Sequence, residues 1–158
     1  VRRKAFPFVV VSPQCGENGR WEPDALMALV DDIVARYRID EDRIYVTGLS
    51  MGGYGTWTLA GAYPERFAAI APICGGGMRF SARSIAQAKL PTWVFHGAKD
   101  QTVPIEESQR MVDMMERFEG DVKFTIFPKA QHNSWTEAYD NPELYKWLLN
   151  HHRGGQNG

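Results

Sequence analysis

An α/β fold with a doubly wound, mostly parallel sheet is what this sequence predicts, on three observations. Short apolar runs rich in β-branched residues alternate with segments of helical periodicity. Clusters of glycine, proline and serine fall between these segments rather than inside them. The connections between the apolar runs are long enough for the right-handed crossovers that parallel strands require.

Taken in order, Phe8-Val9-Val10-Val11 is continuously apolar, as in a strand buried on both faces, and Ser12-Pro13 with Gly16 and Gly19 closes it. After Pro23, which suits a first helical turn, Leu26, Leu29, Val30, Ile33, Val34 and Tyr37 recur at the spacing of one helical face. Ile44 to Thr47 reads as a second strand ended by Gly48, and the stretch from about Gly52 to Tyr63 as a helix stopped by Pro64. Phe67 to Ile73 reads as a strand, Gly75-Gly76-Gly77 as a break, Ser84 to Lys89 as a short helical piece, and Trp93 to Phe95 as the next strand. Pro104 opens a helix with Met111, Met115 and Phe118 on one face, and Val122 to Phe127 makes a fifth strand. Asn141-Pro142-Glu143 caps a last helix carrying Leu144, Tyr145, Leu148 and Leu149. The tail Gly154 to Gly158 is expected to fray and to leave His151 and His152 solvated.

At 158 residues the chain, 1–158, is expected to form a single domain, and 44% hydrophobic residues exclude disorder. Its 18 Lys plus Arg nearly cancel 19 Asp plus Glu, with no dense basic run, so nucleic acid is not an expected partner. No apolar run approaches the roughly 20 residues of a membrane span, and the N-terminus carries no signal-peptide stretch, so a soluble chain is expected. Cys15 and Cys74 form neither a disulfide framework nor a metal cluster and are expected to be free thiols; no metal and no cofactor are implied.

Gly48-Leu49-Ser50-Met51-Gly52-Gly53 lies between a strand and a helix, the context in which G-x-S-x-G acts as a nucleophile elbow. A serine on a strained strand-to-helix turn leaves little room two residues to either side, so glycines there let the backbone close. The following helix would offer its N-terminus and the Met51 backbone N–H to an oxyanion. A serine hydroxyl needs a base, and the base needs an orienting group. Asp100 follows the Trp93 to Phe95 strand, and His132 follows the last strand, both at the same sheet edge as Ser50. His96 is a rival base, but it shares a strand end with Asp100 only four residues away, and its plainer reading is a packed polar residue. The order Ser50, Asp100, His132 is that of α/β-hydrolases, unlike the chymotrypsin and subtilisin orders.

With Gly48 to Gly53, the HGxxDxxVP stretch from His96 to Pro104 and the loop Gln131-His132-Asn133-Ser134-Trp135, the chain resembles the α/β-hydrolase superfamily from about Phe6 to Leu149. It is most similar to bacterial esterases of the polyhydroxybutyrate-depolymerase-like and phospholipase/carboxylesterase type. The resemblance implies Ser50 as nucleophile, Asp100 as acid and His132 as base. It also implies an exported parent protein, which no residue here marks. Members of the superfamily carry an upstream strand ending in a His-Gly loop that supplies a second oxyanion donor, and only one strand and one helix precede the Ser50 strand and turn here. The domain is therefore expected to be incomplete or minimal, with three readings open: missing upstream sequence, a second chain such as a homodimer partner covering the N-terminal sheet edge, or a reduced fold. A backbone N–H at Gln14 or Cys15 is a candidate substitute donor.

Trp135, Tyr54 and Trp57 are candidates to line an acyl pocket, with packing in the core as the competing reading. The expected function is a serine carboxylester hydrolase acting on small, short-acyl esters, since the segment between Cys74 and Thr92 is too short for a large cap. The alternatives are a feruloyl or carbohydrate esterase, a prolyl-oligopeptidase-type peptidase, and a catalytically impaired binding module.

Overall fold

A computed structural model of the chain describes residues 7–16 and 19–154. Helix α1 (Pro23–Arg36) is followed by strand β1 (Tyr45–Leu49), helix α2 (Met51–Ala62), strand β2 (Ala69–Ile73), helix α3 (Arg79–Gln87) and strand β3 (Thr92–Gly97). Helix α4 (Glu106–Arg117), strand β4 (Val122–Phe127), helix α5 (Trp135–Asp140) and helix α6 (Pro142–Leu149) complete the fold. The four strands form one sheet in the order β1-β2-β3-β4, and every neighbouring pair is parallel.

Helices cover both faces of this sheet. Ile70 of β2 and Val94 of β3 point to the side where α1, α2, α3 and α4 pack, among Met27, Trp57, Ile85 and Met111. Ala69, Ala71 and Ile73 alternate with them toward the other side, with Trp93 and Phe95, against Ala138 of α5 and Leu144 and Leu148 of α6. Burial on both faces is why β2 and β3 read as unbroken apolar runs: every residue of each is buried. The strand order advances without reversal, so the three crossover helices α2, α3 and α4 stack on one face and every strand exit opens at one edge.

Phe8 to Val11 is not a fifth strand. The segment pairs with no described strand, and Val9 and Val10 are 68% and 66% exposed. Phe8 alone is held, edge-on to Tyr45 at 6.0 Å between ring centroids. Strand propensity is realised only where a ladder partner lies alongside, and among the described residues none does, so β1 is the edge of the sheet they form.

Three local readings also change. The helix placed at Ser84 to Lys89 begins earlier, at Arg79. The residues after Ser134 form α5 rather than loop. His151 is not a solvated tail residue: it is 8% exposed, with its Nδ1 2.7 Å from the Trp147 carbonyl, while its own carbonyl accepts from Tyr45 Oη at 2.8 Å. The next turn is tied down because Arg153 N–H donates to the Asp42 carbonyl at 2.8 Å. Gly155 to Gly158, part of the expected frayed tail, lie outside the described residues. No helix among the described residues is long and apolar enough to cross a membrane.

Replacing Ile70, which has no exposed surface, with Ala is expected to cost about 2–5 kcal/mol in urea unfolding. Val10→Ser is expected to change stability by no more than about 0.5 kcal/mol, because the side chain is unpaired and exposed. A large loss from Val10→Ser would place that segment in the sheet after all.

Candidate active site

Each group at the candidate site leaves the C-terminal end of a strand. Ser50 follows β1 and caps α2 with φ +50° and ψ −116°, a conformation that costs a non-glycine residue about 1–3 kcal/mol. The surrounding structure over-determines it: Ser50 N–H donates to the Ile73 carbonyl at 3.0 Å, and Tyr54 N–H donates to the Ser50 carbonyl at 3.1 Å. Glycines make this closeness available, but not the symmetric pair that spacing suggests. A Cβ at Gly48 would overlap the Gly52 carbonyl, and one at Gly53 would sit 2.6 Å from the Ile73 carbonyl. A Cβ at Gly52 would meet nothing within 4 Å.

The exits of β3 and β4 meet beside this turn. Ala98 N–H donates to the Phe127 carbonyl and Lys99 N–H to the Ala130 carbonyl, both at 3.0 Å, and a Cβ at Gly97 would overlap the Gln131 carbonyl. The loop carrying Asp100 is thereby held against the loop carrying His132. His132 Nε2 lies 2.9 Å from Ser50 Oγ, and His132 Nδ1 lies 2.7 Å from Asp100 Oδ2. An ionised carboxylate only accepts, so Nδ1 carries the hydrogen and Nε2 turns its lone pair to the serine hydroxyl. The other carboxylate oxygen, Oδ1, accepts from the N–H groups of Thr102 and Val103 at 2.9 Å each. Burial pushes the Asp100 carboxyl up, but the hydrogen bonds from His132, Val103 and Thr102 outweigh it and hold the group below its ordinary value.

Met51 is the first residue of α2, so its N–H has no partner within the helix and points with the helix dipole toward the Ser50 side. Trp135 stands edge-on to the His132 ring at 5.4 Å between centroids. Tyr54 is half-buried, and its hydroxyl donates to Glu107 Oε2 at 3.3 Å. Trp57 corrects the expectation of a pocket residue: it has no exposed surface and packs inside the core beneath Gly77. Gln14 and Cys15 line an open cleft with Pro13, Trp21 and Leu29. Trp21, which no motif singles out, donates from Nε1 to the Met51 carbonyl at 3.0 Å and lies so close to α2 that only glycine fits at position 55.

Cys15 and Cys74 are both free thiols. Ligand atoms of Cys74, Asp100 and His132 lie within 4.8 Å of one another. The imidazole and carboxylate of that set are already spent on each other, and burial pushes the Cys74 thiol up, which disfavours the thiolate a metal needs.

Two consequences are measurable. Gly48→Ala is expected to lower the melting temperature, because its Cβ would overlap the Gly52 carbonyl, whereas Gly52→Ala is expected to fold with equal or higher stability, because it adds helix propensity without a clash. Asp100 has a depressed value in the folded chain, so its contribution to stability is present above the unfolded value near 3.8 and is lost as pH falls through the lower folded value. Urea unfolding from pH 6 down to pH 2 is therefore expected to show a shallower acid loss in Asp100→Asn than in the unmodified chain.

The comparisons with known proteins agree with this architecture. A solved thermostable esterase superposes with a TM-score of 0.76 at 40% identity, over 82% of this chain and 36% of that one. The acylaminoacyl peptidase of Pyrococcus horikoshii shares the fold, with a TM-score of 0.68 at 17% identity over 85% of this chain and 28% of that one. Poly(3-hydroxyalkanoate) depolymerase C of Paucimonas lemoignei is 29% identical over 152 residues, covering 74% of this chain and 37% of the relative. A bifunctional acetylxylan esterase/xylanase of Neocallimastix patriciarum is 28% identical over 152 residues, covering 89% of this chain and 21% of the relative. The chain thus spans well under half the length of each of these proteins. The dienelactone hydrolase family model matches residues 18–144, and on that match, which takes in Ser50, Asp100 and His132, the chain belongs to the dienelactone hydrolase family of α/β-hydrolase-fold hydrolases.

Proposed function

We propose that this chain hydrolyses short-acyl carboxylic esters through Ser50, His132 and Asp100. The observation that carries the reading is the unbroken chain from Ser50 Oγ through both nitrogens of His132 to Asp100 Oδ2, at 2.9 and 2.7 Å. The names of its relatives, a poly(3-hydroxyalkanoate) depolymerase and an acetylxylan esterase, support an ester as substrate.

In this mechanism Ser50 Oγ bonds to the ester carbonyl carbon while His132 Nε2 takes the hydroxyl proton. The carbonyl electron pair moves to oxygen, and the Met51 N–H at the head of α2 stabilises the oxyanion. Collapse breaks the bond to the alcohol, which leaves with the proton from His132, and an acyl group remains on Ser50. A water molecule, deprotonated by the same nitrogen, then attacks the acyl carbon; collapse breaks the bond to Ser50 Oγ, which takes the proton back from His132 as the acid leaves. Asp100 keeps the His132 hydrogen on Nδ1 and offsets the imidazolium charge in each transition state. A second oxyanion donor is assigned, as part of this proposal, to a backbone N–H at Gln14 or Cys15, in the segment that forms the wall of the cleft beside Trp21. The crossover carrying the nine-residue α3 is too short to build a cap over Ser50, which favours small, freely diffusing esters over long acyl chains.

Steady-state hydrolysis of p-nitrophenyl butyrate is expected to require Ser50, with Ser50→Ala lowering kcat by about 10⁶-fold. A fluorophosphonate probe is expected to label the unmodified chain and not the variant. Equal turnover by the two chains, or labelling that survives the substitution, would sink the proposal.

A further inference from the structure

His96 takes no part in the proton path above, yet it is fully buried beside the carboxylate on which that path rests. Its Nε2 lies 2.9 Å from the Val103 carbonyl and 3.3 Å from Asp100 Oδ2. A carbonyl oxygen accepts and does not donate, so Nε2 carries a hydrogen and presents it to Val103 with Oδ2 alongside. On the other side of the ring, Nδ1 lies 2.7 Å from Ser108 Oγ of α4, which lies 2.9 Å from the Gly75 carbonyl, and the one hydroxyl hydrogen serves one of these two acceptors at a time. Gly75 itself packs on the nucleophile turn, where a Cβ would come within 2.8 Å of the Ser50 carbonyl.

The placement of these contacts matters more than their number. Asp100 is oriented by a turn in which its Oδ1 accepts from Thr102 and Val103, so the carboxylate can be no better placed than the Val103 peptide. Val103 is gripped from two sides, its N–H by Asp100 and its carbonyl by His96. The imidazole therefore pins the far end of the turn to β3, the strand the turn has just left, and Ser108 braces the imidazole against α4. An apolar ring of the same shape would fill the space without holding Val103 or facing Oδ2 with a donor.

We propose that His96 is a positioning residue, which fixes the Asp100 carboxylate in the orientation that keeps His132 aligned with Ser50. This rests on the serine hydrolase reading for its catalytic consequence, but not for its structural content. Two substitutions separate holding from filling. His96→Phe keeps the ring and removes both nitrogens, whereas His96→Gln keeps an amide donor that reaches the position of Nε2. With p-nitrophenyl butyrate, His96→Phe is expected to lose about 2- to 10-fold in kcat, the range of one hydrogen bond between neutral groups, with KM nearly unchanged. His96→Gln is expected to recover most of that loss.

The far-downfield proton NMR signal of the His132 Nδ1–H bonded to Asp100, assigned by its disappearance in His132→Gln, reads the same orientation without substrate. It is expected to weaken or shift upfield in His96→Phe and to return in His96→Gln. If the phenylalanine chain does not fold, Ser108→Ala, which unties the far side of the ring, is expected to move kcat and the resonance in the same direction by a smaller amount. Equal losses in the Phe and Gln variants, or wild-type kcat and resonance in His96→Phe or in a folded Ser108→Ala, would overturn the proposal. A chain that hydrolyses no ester while its resonance responds as expected would overturn the hydrolase reading alone.

Discussion

Four strands paired in parallel and in chain order are the constraint from which the rest of this structure follows. Parallel pairing needs a crossover after each strand, and an order without reversal puts those crossovers on one face and every strand exit at one edge. Ser50, Cys74, Asp100 and His132 come from four successive exits, so groups separated by as many as 82 residues converge without any long excursion of the chain. The opposite face is left to α5 and α6, which bury the aromatic layer of Trp93, Phe95 and Phe127.

Precision at the edge comes from close approaches of backbone to backbone. The Ser50 turn is strained, and the hydrogen bonds to Ile73 and from Tyr54, together with the missing side chains at Gly48, Gly53 and Gly75, hold it where it is. The same device joins the loops after β3 and β4 at Gly97. In the carboxylate the balance is electrostatic. Burial alone would raise the Asp100 carboxyl, and the hydrogen bonds from His132, Val103 and Thr102 outweigh that, leaving an anion whose direction is set by the peptide of Val103 and by the groups around it.

Much of the site was legible in the chain because its signals are local. A serine between glycines at a strand-to-helix junction, and an aspartate and a histidine just past later strands, can be placed once the alternation of strands and helices is read. The misreadings involve properties that depend on distant neighbours. Gly52 follows the elbow pattern but touches nothing at its Cβ position, whereas Gly53, outside that pattern, packs on Ile73. Trp57 and Trp135 are the same residue type near the same edge, and only packing sends one into the core and the other against His132. Trp21 carries no motif because its partners, Met51 and Gly55, lie about thirty residues away on another element.

The sequence by itself determined the alternation of elements, the parallel class of the sheet and the order of the three site residues. Those depend on periodicity, turn chemistry and chain direction, which neighbouring residues express among themselves. Only the tertiary structure decided that Phe8 to Val11 forms no strand, that His151 is buried, and that His96 lies beneath Asp100 with Ser108 behind it. A ladder needs a partner strand, and burial and a shared carboxylate need groups from remote segments; each is a property of a pair, which one stretch of chain cannot display.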